Sequence, residues 1–176
     1  MKMASQTFFF LFSCALLLFH GVSGTLEENC KKIVGYGVTY ESCMAAFQDI
    51  PNSKTADIPG LGVIAANSAI TKAKALYTKI GGLLKTTVDT KVKRALQDCN
   101  KMYEDIVEDG SSVVQGFQTK DFGGANAHMS ALLDTPDDCE KGFRELKVVS
   151  PLTNDNANFR KTMAVPLRIS AVLLGM

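Results

Sequence analysis

Apolar residues between positions 92 and 117 recur at alternating steps of four and three, and this is the clearest pattern in the chain. The members of the stripe are Val92, Leu96, Cys99, Tyr103, Ile106, Gly110, Val113 and Phe117. Such heptad spacing predicts a helix of about 26 residues, roughly 39 Å long, with one buried face. Only Gly110 interrupts the stripe, and because the phase is the same on both sides we expect the helix to continue through it. One helix cannot bury its own apolar face, so partner helices are required.

Further segments with the same spacing supply those partners. They cover residues 63–84, residues 122–132 with a continuation after a turn around Pro136, and residues 159–174. Pro166 lies in the middle of the last segment and is expected to kink it. Rods of this length joined by short turns predict an all-α fold, an up-down-up-down four-helix bundle over residues 57–176.

Polar residues before these segments are candidates for helix caps. Asp89 is the predicted N-cap of the central helix. Asp138 is the predicted N-cap of the segment after the Pro136 turn, and residues 154–156 offer caps for the last helix.

Residues 25–56 precede the bundle and predict a helical hairpin. Thr25 and Glu28 have the spacing of a capping box at the start of a first short helix. Residues 40–47 are typical of a second short helix, and residues 48–57 carry the Pro, Asn, Ser and Asp of a loop. The predicted domain is thus a bundle with a hairpin extension at its N-terminus.

Residues 1–24 have the pattern of a signal peptide. Lys2 is followed by an apolar run over residues 8–19 and then by small residues up to Gly24, which fits cleavage before Thr25. The run is short for a bilayer span, so no membrane association is expected after cleavage. The predicted location is secreted, in the extracellular space or the cell wall.

Four cysteines remain after Cys14 leaves with the signal segment, namely Cys30, Cys43, Cys99 and Cys139. An even number in a secreted chain favours disulfides. Three pairings are possible, and sequence alone does not select one. The short, glycine-containing separation favours a local bridge from Cys30 to Cys43, which would staple the hairpin and leave Cys99 with Cys139.

Charge excludes some classes of partner. Removal of Lys2 leaves 18 Lys and Arg of the 19 in the whole chain, against 18 Asp and Glu. A chain of zero net charge has no overall attraction to nucleic acid or to anionic membranes, so neither is expected as a partner.

Catalytic and metal-binding patterns are missing from the predicted mature chain. It has one histidine, His128, and no cysteine or histidine spacing that suits zinc. Adjacent carboxylates such as those at residues 104–105 and 137–138 diverge on a helix, so they do not face one substrate. No enzyme activity, metal or cofactor is expected, and the sequence favours a binding or inhibitory module. A carrier of an apolar ligand is the alternative, because the helix stripes could line a cavity.

The residues resemble the plant invertase and pectin methylesterase inhibitors. The resemblance covers nearly the whole predicted mature chain and is carried by Cys-Lys-Lys at 30–32, Thr-Tyr at 39–40, the alanine-rich residues 64–70, Ala-Leu-Gln-Asp-Cys at 95–99, residues 121–132 and Cys-Glu-Lys-Gly-Phe at 139–143. Within the family the chain is most similar to the pollen-expressed invertase inhibitors of the plane-tree allergen type.

The resemblance implies a four-helix bundle with an N-terminal hairpin and disulfides that join the first cysteine to the second and the third to the fourth. It also implies a secreted, non-catalytic inhibitor, a monomer that occludes the substrate cleft of a cell-wall carbohydrate enzyme. Acid invertase is the expected target, pectin methylesterase is the alternative, and a structural or ligand-carrying pollen allergen is a further one. Invertase inhibitors of the family carry a Pro-Lys-Phe tripeptide, whereas no proline of this chain precedes a lysine. Arg144 and Lys147 are the candidate interface residues.

Overall fold

The structure is a computed structural model that describes residues 24–176, and its regular elements there are helices. The predicted signal segment, apart from Gly24, lies outside the described residues. The α-helices are α1 (Leu26–Ile33), α2 (Tyr40–Phe47), α3 (Ile58–Thr86), α4 (Thr90–Thr119), α5 (Phe122–Leu133), α6 (Thr135–Glu145) and α7 (Thr153–Leu173). The predicted all-α class is confirmed.

Helices α3, α4, the α5–α6 pair and α7 form the predicted up-down-up-down bundle. Helix α3 packs on α4 and α7, α4 also packs on α5 and α6, and α7 closes the bundle against α5 and α6. The α3–α4 and α6–α7 connections therefore lie at one end, which we call the basal end. The C-terminus of α7 lies at the other, which we call the hairpin end because Arg168, near that C-terminus, donates hydrogen bonds to the carbonyl oxygens of Ile33 and Val34.

The stripe predicted from the sequence is the face of α4 that the bundle buries. Six of its side chains are no more than 1% exposed, namely Leu96, Cys99, Tyr103, Ile106, Val113 and Phe117. The predicted cap is also present, since Asp89 Oδ1 accepts hydrogen bonds from the backbone N–H groups of Lys91 and Val92 at 2.8 and 3.0 Å.

Helix α4 continues through Gly110, as predicted, and the glycine has a packing role. A Cβ atom built at Gly110 would lie 2.6 Å from Cγ1 of Ile70 on α3. The Gly62–Phe117 contact is of the same kind, because a Cβ at Gly62 would meet the Phe117 ring. Both glycines allow α3 and α4 to approach more closely than side chains would permit.

Three expectations about local structure were wrong. Helix α6 begins at Thr135 with Pro136 in its first turn, so Asp138 lies inside the helix rather than at its N-cap. Helix α7 begins at Thr153, and its N-cap, Leu152, makes no side-chain hydrogen bond, so residues 154–156 do not cap it. The predicted loop at residues 48–57 contains a 3-10 helix, Pro51–Thr55.

The 3-10 helix forms because Ser53 is buried and folds back on the preceding chain. Its hydroxyl lies 2.7 Å from the carbonyl oxygens of both Phe47 and Ile50, which satisfies a polar group that would otherwise be buried alone. Pro166 is buried inside α7, which continues through it, and the kink expected there stays a prediction.

The hairpin begins with the predicted capping box. The backbone N–H of Glu28 donates to the Thr25 hydroxyl at 3.3 Å, and the Glu28 carboxylate accepts from the Thr25 N–H at 3.1 Å. Cys30 and Cys43 form a disulfide that joins α1 to α2, with a Cα–Cα distance of 5.6 Å.

Candidate functional site

A buried disulfide joins Cys99 on α4 to Cys139 on α6. The two Cα atoms lie 4.9 Å apart, and both side chains are 1% exposed. Because the bridge closes a loop of about 40 residues, it is worth about 4 kcal/mol in the chain-entropy model.

A chain of hydrogen bonds lies beside this bridge and joins α4, α6 and α7, and it runs from a buried bond at Tyr103 to the surface at Thr153. The Tyr103 hydroxyl donates to Asn156 Oδ1 at 2.6 Å, and Asn156 Nδ2 donates to the Glu140 carboxylate at 2.6 Å. Glu140 also accepts from the hydroxyls of Ser150 and Thr153, at 2.7 and 2.9 Å. The α6–α7 connection is therefore held from inside, and a satisfied network of this kind fixes one arrangement of the helices.

Burial keeps Tyr103 neutral. Burial of the ring, followed by the negative charges of Asp155 and Glu140, raises the pKa of the Tyr103 hydroxyl above its ordinary value. The hydroxyl is thus a permanent donor to Asn156 at the pH of any biological compartment, and it has a structural role rather than a catalytic one.

The residues considered for chemistry do not converge on one site. His128 is exposed on α5. Glu104 accepts from the Tyr77 hydroxyl at 3.3 Å, whereas Asp137 forms an ion pair with Arg160. Within residues 24–176 no group of three or more His, Cys, Asp and Glu side chains could hold a metal ion.

The structure places Arg144 and Lys147 at the basal end. Arg144 is in the last turn of α6, and Lys147 follows the helix with a φ of 55°, its N–H donating to the Arg144 carbonyl at 3.1 Å. Both side chains are exposed. They lie near the connection that carries Val149, which is 88% exposed.

An open groove of about 650 Å³ lies between α2, α3 and α7. Buried Leu76, Phe159 and Val165 contribute to its floor. Lys72 donates to the Thr162 hydroxyl at 2.9 Å and Lys79 to Asp155 at 2.6 Å, so two lysines of α3 join α7 across the groove. These contacts pair four of the polar side chains that line the groove with one another.

Sequence reasoning missed two structural residues, Asn156 and Arg168. Asn156 lies three residues before Phe159 and on the same helical stripe as Phe159 and Met163. This spacing was the signal that the Asn156 side chain points into the bundle rather than caps the helix. Arg168 connects α7 to the hairpin through backbone carbonyls, and no sequence pattern announces such a contact.

Comparison with known proteins identifies this architecture. Residues 25–169 match the family described as plant invertase/pectin methylesterase inhibitor. The chain belongs to this family. Members of the family are enzyme inhibitors rather than catalysts, which agrees with the scattered polar residues described above. The chain is 37% identical to the "Putative invertase inhibitor" of Platanus acerifolia over 98% of its length and 99% of the relative.

Other relatives of this inhibitor family point to both kinds of target. The chain is 26% identical to pectinesterase inhibitor 2 of Arabidopsis thaliana over 89% of its length and 92% of the relative. It is 32% identical to the cell wall / vacuolar inhibitor of fructosidase 2 of the same plant over 70% of its length and 67% of the relative.

The fold is shared with a solved inhibitor. A mutant form of a pectin methylesterase inhibitor from Arabidopsis has a TM-score of 0.67 at 20% identity, covering 83% of this chain and 95% of that one. In residues 24–176 none of the helices is both long and apolar enough to cross a bilayer.

Proposed function

We propose that this protein is a secreted inhibitor of a plant cell-wall acid invertase that acts by covering the enzyme's substrate cleft. The observation that carries the proposal is the match, over nearly the whole chain, to a Platanus protein with the name "Putative invertase inhibitor". The family is that of inhibitors of invertase and pectin methylesterase, so the proposal selects one of two targets.

A stiff body suits this function. An inhibitor that blocks a cleft without chemistry gains affinity when its contact surface is ordered before binding, because less conformational entropy is lost on association. The Cys99–Cys139 bridge and the network of Tyr103, Asn156 and Glu140 tie three helices together and supply that order. The protein acts as a monomer, with one inhibitor for each enzyme.

Secretion is part of the proposal. The predicted signal segment and two disulfides, Cys30–Cys43 and Cys99–Cys139, suit an oxidising extracellular compartment, the cell wall above all. The pollen-allergen and carrier interpretations made from the sequence stay predictions.

Pectin methylesterase is the second candidate target. Two observations favour it, namely the lack of a Pro-Lys-Phe tripeptide and the relatives named as pectinesterase inhibitors. Residues 25–176, produced with both disulfides formed, should therefore be titrated against each purified enzyme at cell-wall pH. Inhibition of invertase at submicromolar concentration supports the proposal. Inhibition of pectin methylesterase alone reassigns the target, and no effect on either enzyme at micromolar concentration refutes inhibition.

A further inference from the structure

Charge is unevenly distributed over the molecule, although the predicted mature chain has no net charge. The basal end consists of the α3–α4 and α6–α7 connections and the five adjoining residues of each helix, which are residues 82–94 and 141–157. It carries seven Lys and Arg against three Asp and Glu, a net charge of +4, so the rest of the predicted mature chain has a net charge of −4. The seven bases are Lys85, Lys91, Lys93, Arg94, Lys141, Arg144 and Lys147.

Most of this positive charge is unpaired. All seven side chains are exposed, and six of them form no ion pair within residues 24–176. The exception is Lys141, whose Nζ lies 3.9 Å from Glu145 Oε1. The other two acids are also engaged, since Asp89 caps α4 and Asp155 pairs with Lys79 at 2.6 Å. The basal end therefore presents free positive charge to a ligand.

Three of the bases lie where they do not stabilise their own helix. Lys91, Lys93 and Arg94 are among the first five residues of α4, and beyond the Asp89 cap the first turn has no acidic side chain. The N-terminus of a helix carries a partial positive charge, so it favours acids and disfavours bases. Proteins depart from such local rules mainly at functional sites. The bases of α4 therefore suit a role in binding better than a role in folding.

An extended polyanion matches this surface better than a folded protein does. Lysine is depleted at protein–protein interfaces, whereas five of the seven bases are lysines. None of the seven lines the groove between α2, α3 and α7, or a smaller one of about 280 Å³ between α5 and α7. Hydrated charges spread over several segments suit a polymer that they neutralise one charge at a time, with release of its counterions. A symmetric contact between two copies would bring like charges together.

The proposed secretion selects the class of polyanion. Nucleic acids and the anionic lipids of the cytoplasmic leaflet lie inside the cell. Helices that bind a membrane surface also present Trp, Phe or Leu, whereas the exposed large apolar residues of the basal end are Val88 and Val149. Polysaccharides built from uronic acids, such as de-esterified pectin, lie outside the cell and present one carboxylate on each sugar. Their rings also have apolar C–H faces, which the two valines can contact.

We propose that the basal end is a binding site for an acidic cell-wall polysaccharide, a polyuronate whose carboxylates pair with the free bases of α4 and of the α6–α7 connection. The inference rests on the proposed secretion to the cell wall. It adds a second ligand to the proposed inhibitor, because attachment to the wall would raise the concentration of the inhibitor beside an enzyme held in the same wall.

Isothermal titration calorimetry of residues 25–176 with polygalacturonate, in 50 mM salt, tests the proposal. Fully methyl-esterified polygalacturonate of the same chain length is the uncharged control. The acidic polymer should bind and the ester should not. The affinity for the acidic polymer should fall about tenfold or more between 50 and 200 mM salt, because each carboxylate that is neutralised releases a counterion.

Two double variants locate the site. Lys91→Glu with Lys93→Glu should weaken binding to polygalacturonate about tenfold or more. Lys31→Glu with Lys32→Glu, on α1, changes the net charge by the same amount and should weaken it less than about threefold. Because acids suit the N-terminus of α4, the α4 variant should melt no lower than the wild type, so its loss of binding is not a loss of folding.

The outcomes separate the site from the proposed function. Equal loss of affinity in both double variants overturns the inference, and so does a wild type that fails to bind polygalacturonate at 50 mM salt. Tighter binding to poly-L-glutamate or to vesicles containing phosphatidylserine overturns it as well. A protein that inhibits an enzyme but fails these tests leaves the proposed function intact. A protein that passes them and inhibits neither enzyme refutes the inhibitory function alone.

Discussion

Gly110 offers the most exacting test of how α3 and α4 pack. Replacement by alanine should stabilise an isolated helix by about 1 kcal/mol, because glycine is a poor helix former. In this bundle the added Cβ would lie 2.6 Å from Cγ1 and 3.0 Å from Cδ1 of Ile70, closer than carbon atoms approach. The two effects oppose one another.

Packing should outweigh propensity at Gly110. Ile70 is β-branched and lies on a helix, so one χ1 rotamer dominates and the side chain has little freedom to move aside. Overpacking of this kind costs about 1–3 kcal/mol, which leaves Gly110→Ala destabilised by up to about 2 kcal/mol. For a domain of this size the largest loss, about 2 kcal/mol, lowers the melting temperature by roughly 4–8 °C.

Urea unfolding followed by far-ultraviolet circular dichroism measures the effect. Gly82→Ala is the control, because a Cβ at Gly82 meets no atom within 4 Å, and it should stabilise α3 by about 0.5–1 kcal/mol. In an Ile70→Ala background the obstructing atoms are gone, so Gly110→Ala should become stabilising. A Gly110→Ala change that stabilises the wild-type background would refute the close approach of α3 and α4.

Three further predictions follow from the structure. Tyr103→Phe should lose about 1–3 kcal/mol, since Asn156 Oδ1 is left without its donor. Because the pKa of Tyr103 is raised in the folded state, the stability that the tyrosine contributes is complete below a pH of about 10 and falls as the pH rises further. Above that pH the wild type should therefore lose stability more steeply than Tyr103→Phe. Denaturant titrations at several pH values measure the difference. Reduction of both disulfides should increase amide hydrogen exchange in α1 and α2 more than in α3 and α4, because the apolar faces of α3 and α4 remain packed. Equal increases in all four helices would contradict this. If the sequence-based interface is right, Arg144→Glu with Lys147→Glu should weaken inhibition at least tenfold, and an unchanged inhibition constant would exclude the basal end.

Periodicity predicts the bundle well because burial of a helix face is its main energetic requirement. The stripe of α4, its cap at Asp89 and its continuation through Gly110 all follow from that rule. Local polar chemistry was less informative. Pro136 suits a turn or a first helical turn equally, and only the tertiary contacts of α6 with α4 and α7 decide between them.

Polar residues with long-range partners were beyond sequence reasoning. Asn156 has the composition of a cap, yet its partners, Tyr103 and Glu140, lie 53 and 16 residues away. Arg168 has the composition of a surface residue, yet it holds carbonyl groups more than 130 residues upstream. Such contacts depend on the packing of the whole chain, which one sequence does not encode in any local pattern.

The central claim is that a helical bundle without catalytic chemistry of its own blocks the substrate cleft of an enzyme. Steady-state inhibition kinetics with residues 25–176 test this claim most directly. The account predicts that the apparent KM of the inhibited enzyme rises with inhibitor concentration while kcat stays constant, with one inhibitor bound for each enzyme. A fall in kcat at constant KM, or no change in either constant at micromolar inhibitor with both target enzymes, would contradict it.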